Sequence, residues 1–335
     1  MRTMQAAETH LNAPSLEALR TLVKNDWAAV NSLIFQRLGS DVALVNRVAH
    51  HIIHGGGKRL RPLAVLLAAR ACGYRGTAHV PVAVIIEFIH TATLLHDDVV
   101  DESALRRGRK TANSVFGNQA SVLVGDFLYS RAFQMMVEVG DMDILDVLAN
   151  ATNTIAEGEV LQLMHCNNPD LAETDYLEVI FRKTAKLFEA GAECAAILAG
   201  NDETARKALV NYGRCLGLAF QLVDDALDYN ATTEELGKNI GDDLAEGKST
   251  LPLIYAMERG SAAERHMIRE AIETGSTQNL TSIHLAIQAT GGLHYTAERA
   301  RKEADFAVSA LDRIPNTAYK DGLVKLARFA ANRRF

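Results

Sequence analysis

Cysteine and proline are scarce in this chain of 335 residues, with only 4 Cys and 6 Pro. The cysteines Cys72, Cys166, Cys194 and Cys215 are far apart and form no CxxC pair, so neither a zinc site nor a disulfide framework is indicated, and a reducing cytoplasm fits. Positive charge is not in excess: the net charge is −6, which argues against nucleic acid as a partner. No run is apolar for long. The most apolar stretch, Val80 to Leu95, is broken by Glu87 and His90 and is expected to fall short of the roughly 20 residues of a membrane span. The opening residues, MRTMQAAETHLNAPS, lack the apolar core of a signal peptide. A long apolar–polar alternation is missing, as are a fixed-period repeat and a Pro/Ser-rich linker. Disorder is excluded by 48% apolar and 23% charged residues.

What is present is helical periodicity. From Leu16 to Leu38 the apolar residues fall three and four apart on one helical face, after a Ser15 that can cap the first free amides. The same spacing predicts helices over Val42–His54, Pro62–Cys72, Pro81–Asp101, Asn118–Val139, Asp141–Met164, Tyr176–Leu198, Glu203–Tyr229 and Leu251–Arg259. Loops are expected at Gly55–Gly57, Arg106–Thr111, His165–Thr174 and Asn230–Thr250. The expectation is an all-α protein, one large helical bundle spanning residues 1–335.

Two segments carry unusual charge. LLHDDVVDE places Asp97, Asp98 and Asp101 at the end of a strongly apolar helix, and FQLVDDALDY repeats the spacing with Asp224, Asp225 and Asp228. Residues three and four apart share a helix face, so each cluster gathers like charges that repel unless a cation binds. Oxygen ligands without His or Cys at compatible spacing select Mg²⁺, which is typically shared between a few carboxylates and substrate phosphates. One such cluster alone is more often a solvated face. Two copies behind apolar helices, near basic loops, point to a metal-bridged diphosphate. A di-iron carboxylate bundle would want Glu-x-x-His pairs on facing helices, and the sequence does not supply two of them.

The basic loops supply the rest. GGGKRLRP joins a glycine turn to a helix start, with Lys58 and Arg61 in reach of an anion that the turn and the helix N-terminus favour. LRRGRK follows the first cluster with Arg106 and Arg107; Lys183-Thr184, Gln221, Lys238 and Lys248 lie further on.

GGGKRLRP, LLHDDVVDESALRRG, GDFLYSRAF, KTAKLFE, FQLVDDALDY and GKNIGDDLAEGKSTLP, in this order, resemble the trans-isoprenyl diphosphate synthases, most of all their bacterial octaprenyl-forming members. The likeness covers nearly the whole chain. It departs at Ser249, where relatives often carry Pro. The resemblance implies a homodimeric isoprenoid-synthase bundle with a central apolar cavity in each subunit. It implies Mg²⁺-dependent condensation of isopentenyl diphosphate onto an allylic diphosphate such as farnesyl diphosphate, with octaprenyl diphosphate for a quinone side chain as product. By motif, Asp97, Asp98, Asp101, Asp224, Asp225 and Asp228 would hold three Mg²⁺ ions on the allylic diphosphate. Arg106, Lys183, Thr184, Gln221, Lys238 and Lys248 would contact that diphosphate, with Lys183 and Lys248 also stabilising the charge of the leaving group. Lys58, Arg61, His90 and Arg107 would hold isopentenyl diphosphate. No membrane-spanning segment is implied, only transient membrane contact on product release.

Ala92 and Thr93, one turn before Asp97, are small enough to let a growing tail pass, and Phe133, Met135 and Met136 are candidates for the tunnel floor. Two other readings stay open. A terpene cyclase shares the first cluster but normally replaces the second with an Asn/Ser/Glu motif. A non-catalytic subunit of a heteromeric synthase would be expected to have lost a cluster or a basic loop.

Overall fold

The computed structural model describes residues 15–200, 202–229 and 241–333, so Lys238 lies outside the described residues. The chain is almost entirely helical. Ser15 caps α1 (Leu16–Leu22), its hydroxyl accepting the Glu17 amide at 3.2 Å. The single helix expected to Leu38 is broken at Val23, whose φ of −118° leaves helical space, and α2 (Lys24–Leu38) restarts beyond it. Then come α3 (Ala43–His54), α4 (Leu60–Ala71) and α5 (His79–Val100). The loop expected after Asp101 contains a two-residue antiparallel ladder, β1 (Leu105–Arg106) with β2 (Arg109–Lys110).

Helices α6 (Ala112–Phe116), α7 (Asn118–Val139), α8 (Met142–His165) and α9 (Glu173–Ile180) follow. A π-helical turn, Phe181–Ala185, joins α9 to α10 (Lys186–Leu198) without a loop. After α11 (Glu203–Leu227) come the short α12 (Asp242–Ala245), then α13 (Leu251–Arg259), α14 (Ala262–Thr274), α15 (Leu280–Thr290), α16 (Gly292–Ala310) and α17 (Ala318–Ala331).

The main core runs from Leu19 on α1 to Ala330 on α17 and is centred on α4 and α5. Every residue from Pro62 to Ala69 and from Val82 to Ile86 is buried. A helix apolar on all sides belongs in the middle of a fold. This corrects one expectation. The Val80–Leu95 run is part of a 22-residue helix whose most apolar window has a mean hydropathy of 1.3, long and apolar enough to cross a membrane by those measures alone, but 61% of that window is buried inside the protein. Its apolar surface is spent on α4, α7 and α10.

Small residues bring the site-bearing helices together. A Cβ on Gly217 of α11 would meet Ala185 Cβ at 2.7 Å, and one on Gly158 of α8 would meet the Lys183 amide at 2.8 Å. The π turn is thus gripped from two sides by glycines.

Candidate active site

The two carboxylate clusters end helices α5 and α11. On α5, Asp97 and Asp101 are one turn apart and face protein cations: Lys183 Nζ lies 3.8 Å from Asp97 Oδ2, and Lys248 Nζ lies 3.1 Å from Asp101 Oδ2. Asp98 points elsewhere, because the next residue on a helix is turned by about 100°. Its Oδ1 accepts from Arg106 Nε at 2.7 Å, and its carbonyl accepts from Asn113 Nδ2 at 2.8 Å, so Asp98 orders the ladder that follows. On α11, Asp224 Oδ1 sits 2.8 Å from Arg333 Nη2. Asp225 is buried, and both its oxygens are taken: Oδ2 by the Tyr176 hydroxyl at 2.5 Å, Oδ1 by Gln221 Nε2 at 2.7 Å. Gln221 in turn accepts the Thr184 hydroxyl at 2.9 Å. Asp228 is buried too, its Oδ2 accepting the Asp243 amide at 3.3 Å.

Crowding of these acids shows in their protonation. Burial raises Asp97 and Asp98 above the usual carboxylate range, although Lys183 opposes the rise at Asp97 and Arg106 opposes it at Asp98. Burial, with repulsion from Asp243, pushes Asp225 up to about 7. Glu159 on α8 was not marked by any motif. It accepts from Lys183 Nζ at 2.5 Å, and burial pushes it up to about 7 as well. Burial lowers Lys248, but Glu246 and Asp101 outweigh that and hold its ammonium firmly charged.

A cleft of about 630 Å³ opens beside the second cluster, with Lys183, Thr184, Gln221, Asp225 and Lys248 on its polar side and Tyr176 and Ile180 on its apolar side. Five of the sequence-predicted residues are therefore brought to one cavity.

The basic loops build a second cavity, of about 530 Å³, on another side of α5, where Gly56, Arg59, Glu87, His90 and Arg107 meet. Arg61 is packed over the rings of Phe188 and Phe220 at 4.5 and 5.7 Å, and its Nη1 lies 3.3 Å from His90 Nε2. Burial lowers Arg61 to about 10 and, with Arg61 beside it, holds His90 well below its ordinary value, so His90 is neutral. Arg59 and Arg107 have φ of 47° and 53°, backbone strain of the kind that clusters at functional sites. The Arg107 guanidinium donates to the Gly56 carbonyl and occupies the space a side chain on Gly57 would need, only 2.6 Å from where a Cβ would sit, which is why Gly57 with its φ of 155° suits the turn. Glu87 was also unmarked by motif. It lies 3.9 Å from Arg59, and burial raises it against the pull of Arg59 and Arg61.

Among the described residues, no three acidic, His or Cys side chains converge into a ready-made metal cage. The donor set still fits Mg²⁺. The two clusters offer carboxylate oxygens, and this ion is commonly held by one or two carboxylates plus substrate phosphates.

The chain-length candidates separate. Ala92 is buried, Thr93 donates its hydroxyl to the His90 carbonyl at 2.9 Å, and Met135 and Met136 are buried. Phe133 is 37% exposed and stacks on Tyr129, so it is not a buried floor residue; the helix face it occupies is opposite to that of Met135.

Comparison with known proteins places this geometry. The Polyprenyl synthetase family description matches residues 42–289. The chain is 55% identical to octaprenyl diphosphate synthase of Escherichia coli (strain K12) over 320 residues, 95% of this chain and 99% of that one. It is 51% identical to octaprenyl diphosphate synthase of Haemophilus influenzae, over 96% of this chain and 98% of that one. The crystal structure of a polyprenyl synthase from Caulobacter crescentus CB15, complexed with calcium and isoprenyl diphosphate, superimposes with a TM-score of 0.94 at 47% identity, covering 97% of this chain and 99% of that one. With likeness of this extent in both sequence and fold, the chain is a member of the polyprenyl synthetase family.

Proposed function

We propose that this chain, acting as one domain, is a metal-dependent trans-polyprenyl diphosphate synthase that adds isopentenyl diphosphate units to an allylic primer, farnesyl diphosphate, to give octaprenyl diphosphate for a quinone side chain. The observation that carries the reading is the presence of two separate cationic cavities, one lined by Lys183 and Lys248 with the carboxylates Asp225 and Asp243, the other by Arg59 and Arg107 with a single acid, Glu87. A cyclase needs only one diphosphate site.

Asp97, Asp98, Asp101, Asp224, Asp225 and Asp228 are the residues that would hold Mg²⁺ on the allylic diphosphate, three ions when substrate is bound, with Asp225 lining the cleft. The metal supplies neutralisation of the charge that develops as diphosphate leaves. Lys183, Lys248, Arg106 and, through its hydroxyl, Thr184 bind and orient that same diphosphate; Lys238 belongs with them by motif. Lys58, Arg61, neutral His90 and Arg107 fix isopentenyl diphosphate so that its double bond faces the allylic carbon. Apolar walls shield the cation from water. Positioning accounts for much of the rate, and no side-chain nucleophile is required.

Two assembly statements belong to the same reading. Leu123 and Val137 on α7 and Met142, Val160, Leu163 and Met164 on α8 are each more than half exposed. Apolar surface of this extent on neighbouring helices suits a second copy of the chain, a homodimer. The four cysteines are free thiols, in keeping with a cytoplasmic protein, and an eight-unit product requires transient membrane contact to leave.

The test is turnover of isopentenyl diphosphate with farnesyl diphosphate by the purified chain, with products dephosphorylated and weighed by mass spectrometry. A ladder ending at eight units supports the reading. A cyclic hydrocarbon, or no turnover without an added protein, would reject it in favour of the cyclase or the non-catalytic subunit.

A further inference from the structure

The turn between α8 and α9 is stitched to the loop that carries Lys248, on both sides of that lysine. The Asn167 amide donates to the Gly247 carbonyl at 2.8 Å, fixing the residue before Lys248. The Ser249 hydroxyl donates to the Asn168 carbonyl at 2.7 Å, fixing the residue after it. Both rungs border the cleft beside the second cluster, since Cys166, Lys248 and Ser249 line it. The turn is itself anchored to α14. Asn167 Nδ2 donates to the Ile272 and Glu273 carbonyls at 3.0 and 3.1 Å, in the last turn of that helix, where backbone carbonyls lack helical donors. Asp170 pairs with both ends of the Arg269 guanidinium on the same helix. Asn167 has a φ of 60°, a conformation that Asn tolerates better than most residues, and Gly247 opposite it has a φ of 70°. A Cβ on Gly247 would stand 2.7 Å from Asn167 Nδ2, so the two residues are in close contact.

Lys248 needs such restraint. An ammonium on a flexible four-carbon stem can reach several anions, so its aim depends on where its backbone is held. Its Nζ lies 3.1 Å from Asp101 Oδ2 and also donates to Glu246, and its own amide donates to the Asp243 carbonyl at 2.8 Å. Ser249 stands where relatives often carry Pro, and its hydroxyl restrains by a hydrogen bond a loop that a proline ring would restrain covalently. We propose that Asn167 and Ser249 are positioning residues for Lys248: they hold its backbone so that its ammonium, now on Asp101, meets the allylic diphosphate in the cleft. This rests on the function proposed above. Neither residue has to touch the substrate, because displacing a binding group by about 1 Å is enough to slow a reaction by up to about a hundredfold.

Two variants of the full chain test this, each made alone and in a Lys248→Ala background, with circular dichroism to confirm folding. Asn167→Gly keeps the left-handed backbone and removes the anchoring amide; Ser249→Ala removes the second rung. Each alone is expected to lower kcat/KM for farnesyl diphosphate roughly tenfold and to leave KM for isopentenyl diphosphate unchanged. Ser249→Thr, which keeps the hydroxyl, is expected to recover most of the loss. In the Lys248→Ala background neither change is expected to lower kcat/KM further, because a residue that acts through Lys248 has nothing left to act on. Calorimetry with Mg²⁺ and inorganic diphosphate repeats the comparison without turnover. Should Asn167→Gly fail to fold, the Ser249 variants decide. Losses that add in the Lys248→Ala background, or single variants that match the wild type, would overturn the assignment. A wild type without turnover, but with the same non-additive pattern in diphosphate binding, would refute the proposed function alone and uphold the placement of Lys248 by these residues.

Discussion

The Tyr176 hydroxyl donates to Asp225 Oδ2 at 2.5 Å, tying α9 to the second acidic cluster through a buried hydrogen bond. With Gln221 on the other oxygen and Thr184 on Gln221, the contact forms a chain of four side chains behind the cavity. Tyr176→Phe removes the donor and leaves a buried acceptor unsatisfied, which costs about 1–3 kcal/mol. Urea melts are expected to register this loss. Turnover is expected to fall about tenfold, equivalent to about 1.4 kcal/mol of barrier, with KM for isopentenyl diphosphate unchanged. Wild-type stability in Tyr176→Phe would show that the hydroxyl contributes nothing to holding Asp225.

Gly125 on α7 faces the His96 ring on α5, and a Cβ there would overlap the imidazole Nε2. His96 is held in place by stacking on Tyr129 at 6.2 Å and by Asp126 Oδ1 at 3.3 Å, so it cannot yield freely. Gly125→Ala is expected to destabilise by about 1–3 kcal/mol through overpacking. The double variant with His96→Ala should recover most of this. Thermal melts of the three proteins decide it: an additive double variant would mean that the clash is not with His96.

Glu159 sets a pH dependence. Burial pushes it up to about 7, against the attraction of Lys183 and with repulsion from Asp97 added, whereas an unfolded Glu titrates near about 4.3. Between these values the folded protein binds the extra proton, so this group's contribution to stability falls as pH rises towards 7 and is constant above. Glu159→Gln removes the slope. Its melting temperature relative to wild type is therefore expected to be higher at pH 8 than at pH 5. An equal difference at the two pH values would contradict the shift.

Ala92 is fully buried on the helix that ends in Asp97. Replacing it with Tyr adds bulk along the path of an elongating tail, and products are expected to stop at about farnesyl or geranylgeranyl length while condensation continues. Reverse-phase chromatography of dephosphorylated products reads the outcome. A full-length product from Ala92→Tyr would place the tunnel elsewhere.

The helices were legible because their apolar periodicity is long and uninterrupted: Asn118–Val139 and Leu251–Arg259 match to the residue. Periodicity could not reveal the break at Val23, since Leu19, Val30 and Ile34 keep one buried face across it. Nor could it reveal the π turn within the predicted Tyr176–Leu198 helix, because an extra residue per turn leaves no composition mark. In the site, the charged motifs gave the cavity-lining residues. Glu159, Tyr176, Glu87 and Arg333 were missed because each acts through a partner distant in sequence. The turning away of Asp98 from Asp97 was within reach of the sequence: an adjacent residue on a helix cannot share its neighbour's direction.

The π turn at Phe181–Ala185 has a consequence for how the protein can change. It works as a phase setter: α9 and α10 are one rod with a rotational offset built into its middle. Deleting a single residue there would give the backbone a more regular helix, yet rotate α9 by about 100° against α10. Tyr176 would swing away from Asp225, and Lys183 would lose its bearing on Asp97. Gly158 and Gly217 leave no room for the rod to shift and compensate. Length variation that the turn between α14 and α15 could absorb is therefore closed to this segment, where the less regular local geometry is the one that keeps the cavity assembled.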